Sequence, residues 1–402
     1  MSSTAENALE RTWDWCVSRE WTGMDPYDGL MARRWPVTLL RRSRFGRLAL
    51  IQGMKRSPVN LRGLLSVPPL KNAKTVALGL DTACRLTAVE AWSARARAEA
   101  AELAAELLGM TTPTPNGHGW GYPFDWQSRT FFLAHGVPTV VCTGFVVRAL
   151  AAARGVLGDE HELAPRIADS MRGAARFVLS DLKRIEGENG FCWSYSPLDE
   201  TRVVNATLLG AETVARVAAL EGDESLLREA LPTVSWSLGE RQPDGGWIYG
   251  HASSQQWEDS FHTGFNLLSF LALREASRQV GRDPETVVPL ETLLGSYRHF
   301  SSSFFDADGR PWYYRHTPWP IDTHAAAVAI LTHLAFRDLD GGAVERARRV
   351  LDWSLQHLWL ERRGHFRFQI KRRHSIDIPY VRWSQAWMLR ALAEWRAVTA
   401  AS

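Results

Sequence analysis

"GWGYPFDWQSRTFFLAHGVPTVVCTGFVVRALAAA", residues 119–153, joins an aromatic-x-aromatic turn to a polar loop and then to a run that is apolar nearly all round. A helix with no polar face is one buried on every side. The turn recurs as Trp193-Ser-Tyr195, Trp247-Ile-Tyr249, Trp312-Tyr-Tyr314 and Phe366-Arg-Phe368 after its first copy, Trp120-Gly-Tyr122. Each copy is followed by a similar run: "TRVVNATLLGAETVARV" (201–217), "SFHTGFNLLSFLALREA" (260–276), "DTHAAAVAILTHLAF" (322–336) and "VRWSQAWMLRALAEW" (381–395).

What precedes each copy differs in kind. Residues 161–182 place Leu163, Ile167, Met171, Ala174, Val178 and Leu182 on one stripe with charges between them, the pattern of an amphipathic outer helix. Similar stripes run through 224–240, 285–304 and 342–361. Upstream, 75–88 reads as a further buried helix, 89–109 as its amphipathic partner, and 36–54 as one more outer helix. Six buried and six half-exposed helices in alternation define an all-α fold, an (α/α)6 toroid. The expected organisation is an irregular N-terminal arm, 1–35, and a single toroid domain, 36–402.

The 402 residues are 45 % hydrophobic and 23 % charged, enough to bury a large core. A net charge of +3 is too mild to imply nucleic acid. Arg33, Arg34, Arg41, Arg42, Arg44, Arg47, Lys55, Arg56 and Arg62 nevertheless crowd into one window. That window reads either as a solvated face or as a peripheral contact, through Arg41–Arg62, for anionic lipid or polysaccharide. Arginine supplies nearly all the positive charge, since only five lysines occur, and it suits bidentate recognition of carboxylate or phosphate. Cys16, Cys84, Cys142 and Cys192 lie far apart, with no metal or disulfide spacing. Glu6, Glu10 and Asp14 interrupt the apolar stretch a signal peptide needs, and no eighteen-residue apolar stretch is evident. These features imply a cytoplasmic protein with reduced thiols and no membrane span.

In a toroid the inner helices run parallel, so the loops that enter them open at one mouth. Converging there would be Asp125, Trp126, Gln127 and Arg129; Asp199, Arg202 and Asn205; Trp257, Asp259 and His262; Asp322 and His324; Tyr380, Arg382, Trp383 and Gln385. Each alone also reads as a helix cap or a satisfied turn. Together, with Trp120 beside them, they form a candidate site. Parallel helix N-termini add partial positive charge that favours an anionic ligand. Asp125, Asp259, His262, Asp322 and His324 are the candidate catalytic groups, and the aromatics suit the faces of sugar rings. Asp259 and His262 are an i, i+3 pair, but no third ligand is identifiable, so neither a metal nor another cofactor is expected.

Several segments resemble a bacterial family associated with polysaccharide biosynthesis. They are "DPYDGL" (25–30), "KRSPVNLRGLL" (55–65), "GWGYPFDWQSR" (119–129), "VVNATLLGAE" (203–212), "WEDSFHTGFNLLSF" (257–270) and "WPIDTHAAAVAIL" (319–331). Members often carry the label delta-aminolevulinic acid dehydratase, an activity that needs a (β/α)8 barrel and a Schiff-base lysine, which an alternating helical chain does not supply. Two shorter likenesses point to the toroids of terpenoid cyclases and protein prenyltransferases. "RQPDGGW" (241–247) is similar to their glutamine-tryptophan repeat, and "DSFHTGF" (259–265) to a zinc-ligand segment. Neither a D-x-D-D run nor a D-x-C pair accompanies them, which leaves the likeness at the level of architecture.

Three functions fit. One is an enzyme acting on an acidic oligosaccharide or polysaccharide. It would work by lyase or epimerase proton abstraction, with a His base and Arg202 or Asn205 neutralising the enolate, or by hydrolysis between two carboxylates. A second is an isoprenoid enzyme with an aromatic tunnel. A third is a non-catalytic glycan-binding protein in surface-polysaccharide assembly.

Overall fold

The computed structural model describes residues 3–400 of the chain. Its helices are α1 (Ser3–Val17), α2 (Arg44–Arg56), the single turn α3 (Arg62–Leu65), α4 (Ala73–Leu86), α5 (Glu90–Gly109), α6 (Val140–Leu157) and α7 (Ala164–Arg176). The second half holds α8 (Val204–Glu221), α9 (Glu224–Gly239), α10 (Ser260–Gln279), α11 (Leu290–Ser303), α12 (Thr323–Ala335), α13 (Ala343–His357) and α14 (Ala386–Ala400). Helix α4 packs on α6, α6 on α8, α8 on α10, α10 on α12, α12 on α14, and α14 back on α4. That circuit is the closed inner ring of an (α/α)6 toroid. Each inner helix is backed by an outer one: α5, α7, α9, α11 and α13 follow their partners in sequence.

The sixth outer helix comes from a different place than the sequence suggests. Helix α1, inside the segment expected to be an irregular arm, lies against α14 and so joins the two ends of the chain. Ala5, Ala8, Leu9, Thr12, Trp13 and Cys16 form its buried face, and Trp13 meets Trp21 and Trp92 edge to face. Residues 36–54, expected to supply that helix, instead form a short 3-10 turn (Val37–Arg42) and α2, which lie over the mouth. Gly46 allows this: a Cβ there would sit 2.2 Å from the Leu40 carbonyl oxygen, so the turn and the helix could not meet. The inner helix α6 is long and apolar enough, with a mean hydropathy of 1.7, to pass for a membrane span. Its apolar character serves the ring, where most of its residues are buried against protein. The four cysteines are buried and free.

The aromatic-x-aromatic turns hold the inner helices in register. The first helical N–H groups have no intrahelical acceptor, and here the next repeat supplies one. Val140 N–H donates to the Tyr195 carbonyl (3.0 Å), Ser260 N–H to Tyr313 (3.0 Å) and Thr323 N–H to Phe368 (3.2 Å). The leading tryptophan goes into the core: Trp120 Nε1 donates to the Leu107 carbonyl near the end of α5, and Trp247 Nε1 to Ser237 near the end of α9. Loops remote in sequence are thereby stitched edge to edge around the mouth.

Candidate active site

A cavity of about 440 Å³ opens at the N-terminal ends of the inner helices. The trailing aromatics of four repeats, Tyr122, Tyr195, Tyr249 and Tyr314, line it, while Trp120 is fully buried away from it. Four of the five turns thus send their trailing ring to the mouth; in the fifth both Phe366 and Phe368 are buried. Tyr122 and Tyr195 share a hydrogen bond of 2.8 Å between their hydroxyls. Trp257 stacks on Tyr249 with centroids 4.8 Å apart and planes 15° from parallel, a flat platform beside the opening.

His262 and Asp259 form the best-defined reactive group. Asp259, buried at the N-cap of α10, accepts from the His262 N–H (2.9 Å), from Trp257 Nε1 (2.8 Å) and from His262 Nδ1 (2.7 Å). Because Nδ1 donates to this carboxylate, the imidazole is fixed in one tautomer. The tautomer that donates from Nδ1 has its lone pair on Nε2, and the ring lines the cavity. His324 lies on the other side of Phe261, whose ring centroid is 4.0 Å from that of His262 and 4.7 Å from that of His324. Neither nitrogen of His324 has a hydrogen-bond partner, and burial, with Lys74 and Arg382 nearby, holds its pKa well below the ordinary imidazole value. The second histidine is therefore neutral.

Cations dominate the remaining wall. Lys55, Arg56, Lys74, Arg129, Lys371 and Arg382 line it, and among the described residues no Asp or Glu does. Three of the five lysines in this arginine-rich chain are thus at one site. Burial lowers all three, Lys55 to about 8 and Lys74 the furthest. The Lys74 ammonium makes no hydrogen bond to protein and sits 3.8 Å from the Phe145 ring centroid. Arg382 is held by Asp25 through bonds of 2.5 and 2.8 Å. Asn205 Oδ1, Gln255 Oε1 and Gln369 Oε1 are buried acceptors without a partner, all on residues of this wall. Such atoms occur elsewhere in the chain too, but those on the cavity wall are the ones a ligand could reach.

Of the residues expected to converge, Trp126, Gln127, Arg129, Asn205, Trp257, His262, His324, Arg382 and Trp383 line the cavity. Asp259 stands directly behind His262. The others do not reach it. Asp125 turns outward, accepting from His135 N–H (2.9 Å) and His135 Nδ1 (3.1 Å) and pairing with Arg41. Asp322 is buried under the site, where it caps α12 and accepts from Gln369 and from Trp383 Nε1 (3.1 Å). Asp199 ties its own loop through Ser196 and Thr201. Tyr380 accepts from Arg62 (3.0 Å), Gln385 grips the Phe366 backbone, and Arg202 contributes only backbone near the mouth. The sequence reading missed Tyr27, Lys55, Lys74 and Lys371. The scarcity of lysine was its one available signal for three of them.

A larger cavity, about 750 Å³, opens at the opposite end of the ring. Its arginines are paired: Arg148 and Arg216 with Glu212, Arg390 with Asp81 and Glu394, and Arg154 with Asp159. The rings of Phe145 and Trp387 line this cavity and meet Lys74 of the mouth between the two openings. Charges already neutralised within the protein leave little for a ligand, so size does not make this end the active site.

No family model matches the chain, and no curated protein does. Solved structures match its fold. A sugar epimerase from a ruminal bacterium superposes with a TM-score of 0.59 at 13 % identity, covering 82 % of this chain and 88 % of the other. A possible member of the GH105 family from Salmonella enterica gives 0.62 at 11 %, covering 97 % and 93 %. A polysaccharide lyase gives 0.57 at 9 %, covering 82 % and 91 %. The chain therefore has the α/α-toroid fold seen in carbohydrate-active enzymes, and the (β/α)8 barrel required by the dehydratase label is absent. Such neighbours carry out different reactions on one scaffold, so the reaction must be argued from the site.

Proposed function

We propose that the protein is an enzyme that removes a proton from an acidic carbohydrate, in an elimination or an epimerisation, with His262 Nε2 as the base. The observation that carries this is the pairing of an Asp-oriented imidazole with a cavity wall rich in cations and, among the described residues, free of carboxylates. The C–H bond next to the sugar carboxylate breaks, its proton goes to Nε2, and its electron pair moves into the carboxylate. Lys55 and Arg382 stabilise the resulting charge. Asp259 stabilises the imidazolium. In an elimination the bond to the β-oxygen then breaks and that oxygen takes the proton back from the His262 imidazolium; in an epimerisation water at the mouth returns a proton to the opposite face of the carbon, and the imidazolium releases its own to solvent. Tyrosine is the poorer base here, since burial raises the pKa of Tyr27, Tyr122, Tyr195, Tyr249 and Tyr313 and keeps them protonated.

Hydrolysis needs two carboxyl groups flanking the scissile bond, and Asp125, Asp259 and Asp322 are all committed elsewhere. An isoprenoid chain needs a deep apolar tunnel, whereas this cavity is walled by tyrosine, glutamine, lysine and arginine and floored by packed rings. The test is to incubate the protein with uronate-containing oligosaccharides in D2O and follow the sugars by NMR and ultraviolet absorbance. Deuterium at the carbon next to the carboxylate, or an unsaturated uronate, is expected, and H262Q should abolish both. Release of reducing ends bearing oxygen from water, unaffected by H262Q, would sink the proposal. Binding without turnover would turn it into the glycan-binder reading.

A further inference from the structure

The roof of the mouth has an outer surface that the chemistry above does not use. Between Asp28 and Asp81 the chain contains no acidic residue and eleven basic ones. The second half of α2 borders the cavity, and Leu48, Ile51, Gln52 and Lys55 turn one face of the helix into it. The opposite edge carries Phe45, 83 % exposed, with Ala49 and Gly53 above it. Trp35, at 75 %, and Leu39, Leu40, Val59 and Leu64 are exposed in the segments that flank α2. These six are most of the chain's large exposed apolar side chains, gathered within thirty residues of sequence. Arg33 and Arg42 are exposed among them and their guanidinium groups have no hydrogen-bond or ion-pair partner among the described residues, while Arg56 belongs both to this surface and to the cavity wall.

Scattered surface hydrophobes need no explanation, but their gathering with unpaired arginines in one stretch of chain that contributes no carboxylate does. A nucleic-acid duplex calls for the cations but not for a cluster of exposed Leu and Val beside them, and a protein partner of ordinary charge would not require so long a segment without acid. A bilayer with anionic headgroups needs both, since aromatic and aliphatic side chains enter the interface while arginines meet the phosphates. We infer that this roof docks on an anionic lipid surface, and so holds the mouth of the toroid at the membrane. The docking is independent of the reaction proposed above and stands or falls by itself.

The test is sedimentation of the purified full-length protein with vesicles of phosphatidylcholine alone or phosphatidylcholine mixed with phosphatidylglycerol. Binding is expected only to the anionic vesicles, weakening as salt is raised. F45E, and separately the double variant R33E/R42E, should each reduce it by about tenfold or more, with an unchanged thermal midpoint because these side chains are exposed. W35A provides an uncharged check and should also weaken binding. Equal binding to neutral vesicles, no binding to either, or retention by the charge variants would overturn the inference. So would a dimer in sedimentation velocity that F45E dissociates, or tighter binding to duplex DNA than to the vesicles.

Discussion

Asp259 serves two purposes that a single substitution separates. As the N-cap of α10 it is replaceable by Asn, which caps nearly as well. As the acceptor for His262 Nδ1 it is not, because an amide neither fixes the tautomer nor stabilises an imidazolium. D259N is therefore expected to keep its thermal midpoint within a few degrees while kcat falls by about 100-fold or more; D259A should lose both, and a kcat unchanged in D259N would remove His262 from the role of base. His324 makes a pH prediction. An unfolded histidine takes up a proton below about pH 6.5, whereas the folded His324 does not, so stability falls with pH by up to about 1.4 kcal/mol per pH unit from this group. His333, lowered to about 3, acts in the same direction. Urea midpoints of H324F across that range should show a shallower slope than the parent. Both predictions concern residues legible in the sequence as loop-borne polar groups at helix starts. Asp322 had the same signature but a different fate, and nothing local distinguishes them: Gln369 and Trp383, which bury Asp322, come from remote segments.

At the level of the element, the alternation of all-apolar and amphipathic runs was sufficient to assign inner and outer helices, because a helix backed on every side has no use for a polar face. Glu212 is the exception that shows how the inner ring tolerates charge. On α8 it is almost fully buried, yet it accepts from Arg148 (2.5 and 2.8 Å), Arg216 (2.8 Å) and Ser269 (2.9 Å). Burial pushes its pKa up, but the two arginines outweigh that and hold it at about 2. It thus remains ionised between α6, α8 and α10. Removing the charge leaves a buried guanidinium uncompensated, so E212Q is expected to lose about 3–5 kcal/mol of stability, read as a drop in urea midpoint; a loss below about 1 kcal/mol would mean that the pair is solvated. The sequence showed Glu212 only as a polar interruption in an apolar run. Its partners on the neighbouring helix cannot be read from spacing within α8.

Closure of the ring is a property of the whole molecule, and the chain achieves it by returning its first helix to its last. Periodicity could not locate that twelfth helix, because nothing in the composition of α1 announces a partner more than three hundred residues away. The 36–54 segment offered a competing run of the right length. What fixes the outcome is the seam: α1 backs α14, α14 packs on α4, and Arg390 of α14 bonds Asp81 of α4 at 2.6 Å and Glu394 at 2.8 Å. An open solenoid shortened by one terminal helix loses one interface and keeps the rest folded. In a closed toroid the same deletion exposes α14 and frees the seam, which every other helix pair depends on for its curvature. Deleting residues 1–18 is therefore expected to abolish the single cooperative unfolding transition and to leave Tyr380, Arg382 and Trp383 unable to hold their side of the mouth. Calorimetry and ligand binding on the truncated chain check both halves of that expectation. A sharp transition only a few degrees lower, with the mouth still competent to bind, would mean that the five remaining hairpins close the ring without help from α1.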